Sequence, residues 1–392
     1  MGYTVLARRY RSQSFDEVVG QEAIARTLTR AIEHGKTAHA YLFVGTRGVG
    51  KTSTARIFAK AMNCPTDEPA EVAQAIMQGR DTDVIEIDAA SHGNVEEARD
   101  LIARSGIRPL RGMYKVYIID EVHMLSSAAF NALLKTMEEP PEHVKFILCT
   151  TEAHKVPATI QSRCQRFDFR AIPTERIAAH LRSVLSSEKI EADDDVVERV
   201  AELGAGSMRD ALSILDRLIA AREDAEAITL DRLQMLLGLA PDAMLADLID
   251  AVADADIARA LVVGRDLLAQ GLDVEHALQA IASAMRDVMA LAVCGEATDL
   301  VASTGARRAR AASAAQRIDA LTAAHMVALC DAVAQRARNS AIRRELFDVA
   351  IVRLAGAGSL ANAAALLSGK QSGATGGAKP GRGSRGSPLK KA

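Results

Sequence analysis

The 392-residue sequence has only five cysteines (Cys64, Cys149, Cys164, Cys294 and Cys330), scattered and without a CxxC pair. An odd, dispersed set argues against a disulfide framework and fits a reducing cytoplasm. No run of about 18 apolar residues is free of charge, and the stretch from Met1 to Tyr10 has no apolar signal core, so neither a membrane-spanning nor a secreted protein is expected. Aromatic residues nearly vanish after residue 170: every Tyr, and every Phe but Phe347, lies before it. Acidic residues are missing from 369–392, a stretch rich in Gly, Ser, Lys and Arg. Such a tail cannot offset its ordering entropy and is expected to be disordered, as a solubilising tail or a weak contact for nucleic acid. Its six basic residues leave the rest of the chain near −8, although the net charge is −2.

With 49% apolar and 25% charged residues, a chain of this length holds two or three domains. Aromatic and β-branched residues favour strands, whereas Ala and Leu favour helices, so a sheet is expected early and helices later. Apolar runs at 41–44, 84–87, 116–119, 146–149 and 167–169 alternate with helical spacing, as in Ile24, Leu28 and Ile32, or Phe130, Leu133, Leu134 and Met137. That alternation predicts an α/β fold with a mostly parallel sheet. From Pro173 onward the pattern is helical. Thr174 is expected to cap a helix, Gly204 and Gly206 to close a small helical unit, and a further helix to run over 208–221. A second helical block follows over 230–367, with starts at Asp242, Asp256 and Asp273 and a stop at Gly271. Its last helix carries a wide apolar arc (Ile342, Leu346, Phe347, Val349, Ile351, Leu354), which either buries in its own bundle or also packs on other subunits.

The strongest chemical signal is Gly45-Thr46-Arg47-Gly48-Val49-Gly50-Lys51-Thr52, placed between an expected strand and helix. This is the context of a P-loop, whose glycines let backbone N–H groups face phosphates. Lys51 would reach the β- and γ-phosphates of ATP, and the Thr52 hydroxyl would hold Mg²⁺. A second signal, an apolar strand ending in Asp120-Glu121, sets Asp120 at the carboxyl edge of the sheet beside the metal and Glu121 where it would orient or deprotonate water. Thr150, ending a third strand with Thr151, is a candidate sensor of the γ-phosphate. Arg163 is either a surface cation or a stabiliser of phosphoryl charge across an interface. Arg209 either faces a phosphate or pairs with Asp210 or Asp216.

Taken in order, 7–11 (ARRYR), 15–21 (FDEVVGQ), the P-loop, 85–91 (IEIDAAS), 119–125 (IDEVHML), 130–141 (FNALLKTMEEPP), 162–164 (SRC) and 207–212 (SMRDAL) resemble the gamma/tau subunit family of bacterial DNA polymerase III. The resemblance is dense over 1–220; over 230–367 it is one of helical character and length. It implies an AAA+ P-loop domain at 1–172, a small helical lid at 173–228, an all-α collar at 229–367 that joins subunits in a ring, and a tail at 368–392. It implies an ATPase within the DNA polymerase III holoenzyme: the motor of the clamp loader, working with other clamp-loader subunits, a sliding clamp and primer–template DNA. Arg163 matches the arginine finger, Arg209 the lid sensor and Thr150 the first sensor, while Tyr10, Val18 and Val19 match the adenine pocket. Asn94, Arg99, Ser126 and Ser127 are candidates for DNA contact.

Three departures stand out. Ser12 follows Arg11 where the family usually has proline. Cys64 occupies the first position of a four-cysteine zinc module whose other ligands are missing, so zinc is not expected. The chain ends in a short tail, so contacts with polymerase and helicase are not expected. Two other readings share many of these motifs: an AAA+ helicase or translocase, and a catalytically idle scaffold subunit.

Overall fold

The computed structural model describes residues 4–64, 70–91, 107–222, 227–298, 300, 301, 303 and 305–367, with the backbone alone for 358–367. These residues divide into two compact units, 1–239 with 302–305, and 240–301 with 306–392.

In chain order the first unit contains α1 (Leu6–Arg9), α2 (Glu22–Glu33), β1 (Ala40–Val44), α3 (Lys51–Asn63), α4 (Ala70–Gln78), β2 (Val84–Asp88), β3 (Lys115–Asp120), α5 (Ser127–Glu138), β4 (Val144–Thr150), α6 (Ala158–Gln161) and β5 (Gln165–Asp168). The strands form one sheet in the order β2-β3-β4-β1-β5, and every described pair is parallel. All five expected strands are present, each within a few residues of its expected bounds. Alternation along the strands sends side chains to opposite faces. Tyr41, Phe43, Val116, Ile118, Ile147 and Cys149 pack with Leu28 and Phe58 on one face. Leu42, Tyr117, Ile119, Phe146 and Leu148 pack with Phe130, Leu133 and Met137 on the other. Burial on both faces is why these strands read as unbroken apolar runs. The register sets Val44 opposite Thr150 and Asp88 opposite Asp120, so the carboxyl ends of the strands form one edge.

The helices α7 (Thr174–Glu188), α8 (Asp194–Leu203), α9 (Met208–Ala220) and α10 (Leu230–Leu237) complete this unit. Thr174 is not the cap expected of it: Pro173 holds the N-cap position, which needs no N–H, and Thr174 is the first helical residue. Ile177, Leu181, Val196, Val200, Leu212 and Leu215 share a core with Leu6 of α1 and Ile172. The N-terminal segment is tied to this core by the Leu6 N–H, which donates to Asp216 Oδ1 at 3.1 Å. The tyrosine hydroxyl of Tyr10 also donates to Glu188. The helix α10, expected in the following domain, packs its Leu233 into the same core.

The second unit holds α11 (Asp242–Ala253), α12 (Ile257–Ala269), α13 (Val274–Cys294), α14 (Gly305–Ala315), α15 (Ala320–Arg338) and α16 (Arg343–Leu367). Asp256, Asp273 and Asp319 cap three of these helices by accepting first-turn N–H bonds, and Gly271, at φ 90°, ends α12. At Gly264 of α12 an added Cβ would stand 3.2 Å from the Phe347 ring and 3.3 Å from Ile351, so α12 and α16 meet at close range. Phe347, Ile351 and Leu354 are buried in this bundle, whereas Ile342 and Val349 of the expected arc are exposed. By length and composition α13 is apolar enough to cross a membrane. It carries Glu275, Arg286 and Asp287, and its Ala277, Leu278, Ile281, Met285 and Val288 are buried in the bundle.

Candidate functional site

The loop after β1 curls back on itself before α3. Gly48 and Gly50 have φ of 76° and 99°, a left-handed region that favours glycine. Gly48 is required for a second reason: an added Cβ would lie 1.9 Å from Ser207 Oγ, where the start of α9 comes against the loop. No side chain caps α3 and its first turn holds no acid, so its first N–H groups and helix dipole face the loop. Lys51, the first residue of α3, is buried, and its Nζ donates to Gly45 O (2.8 Å) and Thr46 O (2.9 Å). Burial pushes its pKa below the ordinary lysine value, with the nearby Glu121 acting in the opposite sense.

The cleft so formed is lined by Arg47, Gly48, Val49, Gly50, Lys51 and Thr52 of the loop and α3, by Asp120 and Glu121 after β3, and by Arg209 of α9. Tyr10, Val18 and Val19 line it too, together with Ile172, Met208 and Leu212. Gly45 and Thr46 contribute the carbonyls that hold Lys51. Cationic Arg47, Lys51 and Arg209 beside an apolar end match a polyphosphate joined to a flat base. Arg11 and Ser12 also line the cleft. Arg11, which the sequence did not single out, has its pKa lowered by burial and then by neighbouring Arg56. The Ser12 hydroxyl donates to Glu17 O at 3.0 Å, a hydrogen bond at the position where proline was expected.

The residues fit a divalent cation. Thr52 Oγ1 donates to Asp120 Oδ2 at 2.6 Å, which puts two hard oxygen donors side by side. Burial raises the Asp120 carboxyl above its ordinary value, against the Thr52 hydroxyl and the Glu121 N–H, which pull it down. A carboxylate that is costly to ionise in isolation is one that a cation stabilises.

Glu121 follows in a left-handed backbone (φ 46°, ψ 46°), uncommon for a residue with a side chain. Its Oε2 accepts from Thr151 Oγ1 at 3.0 Å and from Thr151 N at 3.3 Å. Thr150 is buried at the end of β4 and is not among the residues lining the cleft. Its Oγ1 accepts from Glu152 N and lies 3.0 Å from His123 Nδ1. His123 and the clasp by Thr151 were invisible in the sequence; the one local signal was a histidine three residues after Asp120.

Arg163 sits apart from the cleft, between α6 and β5, with its guanidinium bonded to Glu138 Oε1 and Thr159 O, both at 2.7 Å. Ser126 caps α5 by accepting from Ala129 N, and Ser126 and Ser127 are exposed. Asn94 and Arg99 lie outside the described residues. Cys64 is half-buried at the end of α3, and the residues just after it are also outside the description.

Three family models match in tandem: DNA polymerase III, delta subunit over 20–173; DNA polymerase III clamp loader subunit, ATPase lid domain over 176–223; and DNA polymerase III subunits gamma and tau domain III over 228–369. The tau subunit of Bacillus subtilis is 45% identical over 74% of this chain and 52% of its own length. That of Escherichia coli is 44% identical over 71% and 44%. The gamma subunit of Buchnera aphidicola is 39% identical over 71% of this chain and 78% of its own length. The chain belongs to the DNA polymerase III gamma/tau family. It spans about half the length of the Bacillus and Escherichia relatives. As a gamma/tau chain it has residues 45–52, Asp120 and Glu121 inside the span of the delta-subunit model and Arg209 inside that of the lid model.

Proposed function

We propose that this chain is an ATP-hydrolysing motor subunit of a DNA clamp loader, which uses ATP to place a sliding clamp on primed DNA. The observation that carries this is the 2.6 Å contact of Thr52 with Asp120 at the start of α3, beside Lys51 and faced by Arg209. ATP is the substrate. The α3 N–H groups and Lys51 would donate to its phosphates, and Tyr10, Val18 and Val19 would hold its base. Thr52 and Asp120 would hold Mg²⁺, which when bound neutralises phosphate charge. Glu121 would accept a proton from the attacking water, and Thr151 holds its carboxylate until then. Thr150 would report the γ-phosphate, and Arg209 would couple phosphate state to the lid.

Arg163 lies away from the cleft of its own chain, which supports a role in trans, at the cleft of a neighbouring subunit. Its present partner Glu138 is on the surface, so exchanging it for a phosphate costs little. ATP would favour a ring that holds an open clamp, and hydrolysis would favour one that releases it; only the difference in affinity between the two ring shapes does work. DNA would be held by phosphate contacts, with the exposed start of α5 at Ser126 and Ser127 as a candidate. The other ring subunits and the clamp are the expected partners.

The test is Arg163→Ala in the reconstituted ring with clamp and primed DNA. Hydrolysis is expected to fall by about 10³-fold or more while ATP binding stays nearly intact. Unchanged hydrolysis would remove the role in trans and, with it, the ring motor.

A further inference from the structure

His123 is absent from the roles assigned above, yet it joins two of them. It lies in the short 3-10 turn Val122–Met124 that follows the left-handed Glu121, and its side chain is 6% exposed. One ring nitrogen, Nδ1, is 3.0 Å from Thr150 Oγ1 and 3.4 Å from Glu121 Oε2. The other, Nε2, is 3.3 Å from Glu152 Oε1. A carboxylate oxygen can only accept, so a ring nitrogen that faces one serves as a donor. Nδ1 has both Thr150 Oγ1 and Glu121 Oε2 within reach, so the ring proton is assigned to Nδ1, which donates into the space shared by Thr150 and Glu121. An unprotonated Nδ1 would instead set its lone pair against the Glu121 carboxylate.

The consequence falls on Thr150. A hydroxyl offers one proton and two acceptor positions. The Glu152 N–H takes one acceptor position at 3.0 Å, and the His123 Nδ1–H takes the second. The Thr150 proton is then turned away from both and remains for another acceptor. A threonine that senses phosphate must donate. Were the ring nitrogen an acceptor, it would consume that proton.

We infer that His123 is a positioning residue which keeps the Thr150 hydroxyl a donor and steadies the Glu121 carboxylate, so that phosphate sensing and water activation are set by one buried ring. The inference rests on the ATPase reading, and Glu121→Gln separates the two. If Glu121→Gln leaves hydrolysis intact, the ATPase reading itself fails. If Glu121→Gln abolishes hydrolysis and His123 variants do not change it, only the inference fails.

The discriminating set is His123→Asn, His123→Gln and His123→Leu, each in the full chain within the assembled ring. The Asn amide sits where Nδ1 was and can still donate to Thr150, but it cannot reach Glu152. The Gln amide reaches the Nε2 position and leaves Thr150 without its donor. Leu fills volume and donates nothing. Expected are near-normal ATP affinity in all three, kcat reduced about 10²-fold in Gln and Leu, and kcat largely restored in Asn. An Asn variant no better than Leu, a Leu variant with normal kcat, or loss of ATP binding in all three would overturn the proposal.

Discussion

In the sheet-bearing unit Lys51, Asp83, Lys115, Lys145 and Thr150 are all buried, whereas in the helical unit Asp287 and Thr322 are the buried polar side chains among the described residues. The first set is costly to bury, and each of its members is hydrogen-bonded. Asp83, for example, accepts the N–H groups of Leu110, Arg111 and Gly112 at 2.8–3.1 Å and neighbours Lys115 at 3.4 Å. Burial acts to raise its pKa, but those bonds outweigh it and the net shift is downward. Buried polar groups of this kind fix geometry because leaving any one unpaired costs about 1–3 kcal/mol. The helical unit has little of this. Its order comes from apolar packing, and its Arg–Asp pairs, such as Arg317 with Asp250 and Asp254, lie at the surface where they add little. Substitutions at the cleft of the first unit and in the core of the second should therefore fail differently: loss of chemistry with the fold kept at the one, loss of packing without loss of chemistry in the other.

The largest expected effect is at Lys51. Lys51→Ala should abolish detectable ATP binding, and hydrolysis should fall by about 10³-fold. Thermal stability should change little, because burial disfavours the lysine's charged form, which offsets the loss of its bonds to the Gly45 and Thr46 carbonyls. Titration calorimetry with ATP, set beside thermal unfolding, reads both. Retained tight binding would break the comparison at its functional end.

Phe347→Ala is the converse. Phe347 is fully buried against Gly264 in the helical unit, and removing a buried ring costs about 3–5 kcal/mol. Hydrogen exchange of α12 and α16 should quicken accordingly, with ATP affinity unchanged. Unaltered exchange would mean that the ring packs less tightly than its burial implies.

The sequence carried most of what is local. Strands buried on both faces appear as apolar runs, the glycines at 45, 48 and 50 fall close together before Lys51 and Thr52, and Asp256, Asp273 and Gly271 mark helix ends by their own chemistry. Thr174 misled because the helix begins at Thr174 itself, which leaves Pro173 at the N-cap with no side-chain hydrogen bond. What escaped depends on residues remote in the chain. Nothing around His123 reveals that β4 will end beside it, and nothing around Asp83 reveals that the backbone at 110–112 will fold onto it. Arg11 became visible only when α1 was seen to pack on the lid core. Such roles are properties of the sheet order.

The smallest effect sharpens the comparison from the side of charge. In the helical unit a carboxylate can stabilise outright, as Asp319 does at the start of α15. Its oxygens accept from Leu321 N and Thr322 N at 3.0 Å and from Thr322 Oγ1 at 2.5 Å. The Thr322 hydroxyl and then its N–H hold the carboxyl below the ordinary value, with burial acting the other way. A pKa lowered in the fold means that the stabilisation is present above the unfolded pKa of about 3.9 and is lost as pH falls through the lower folded value. Asp319→Ala should therefore cost about 1 kcal/mol at neutral pH, read as faster exchange in the first turn of α15. The difference from wild type should shrink below about pH 4. A penalty that stayed constant down to acid pH would assign the cap's worth to shape alone, and the two units would then differ less in their use of charge than their burial patterns indicate.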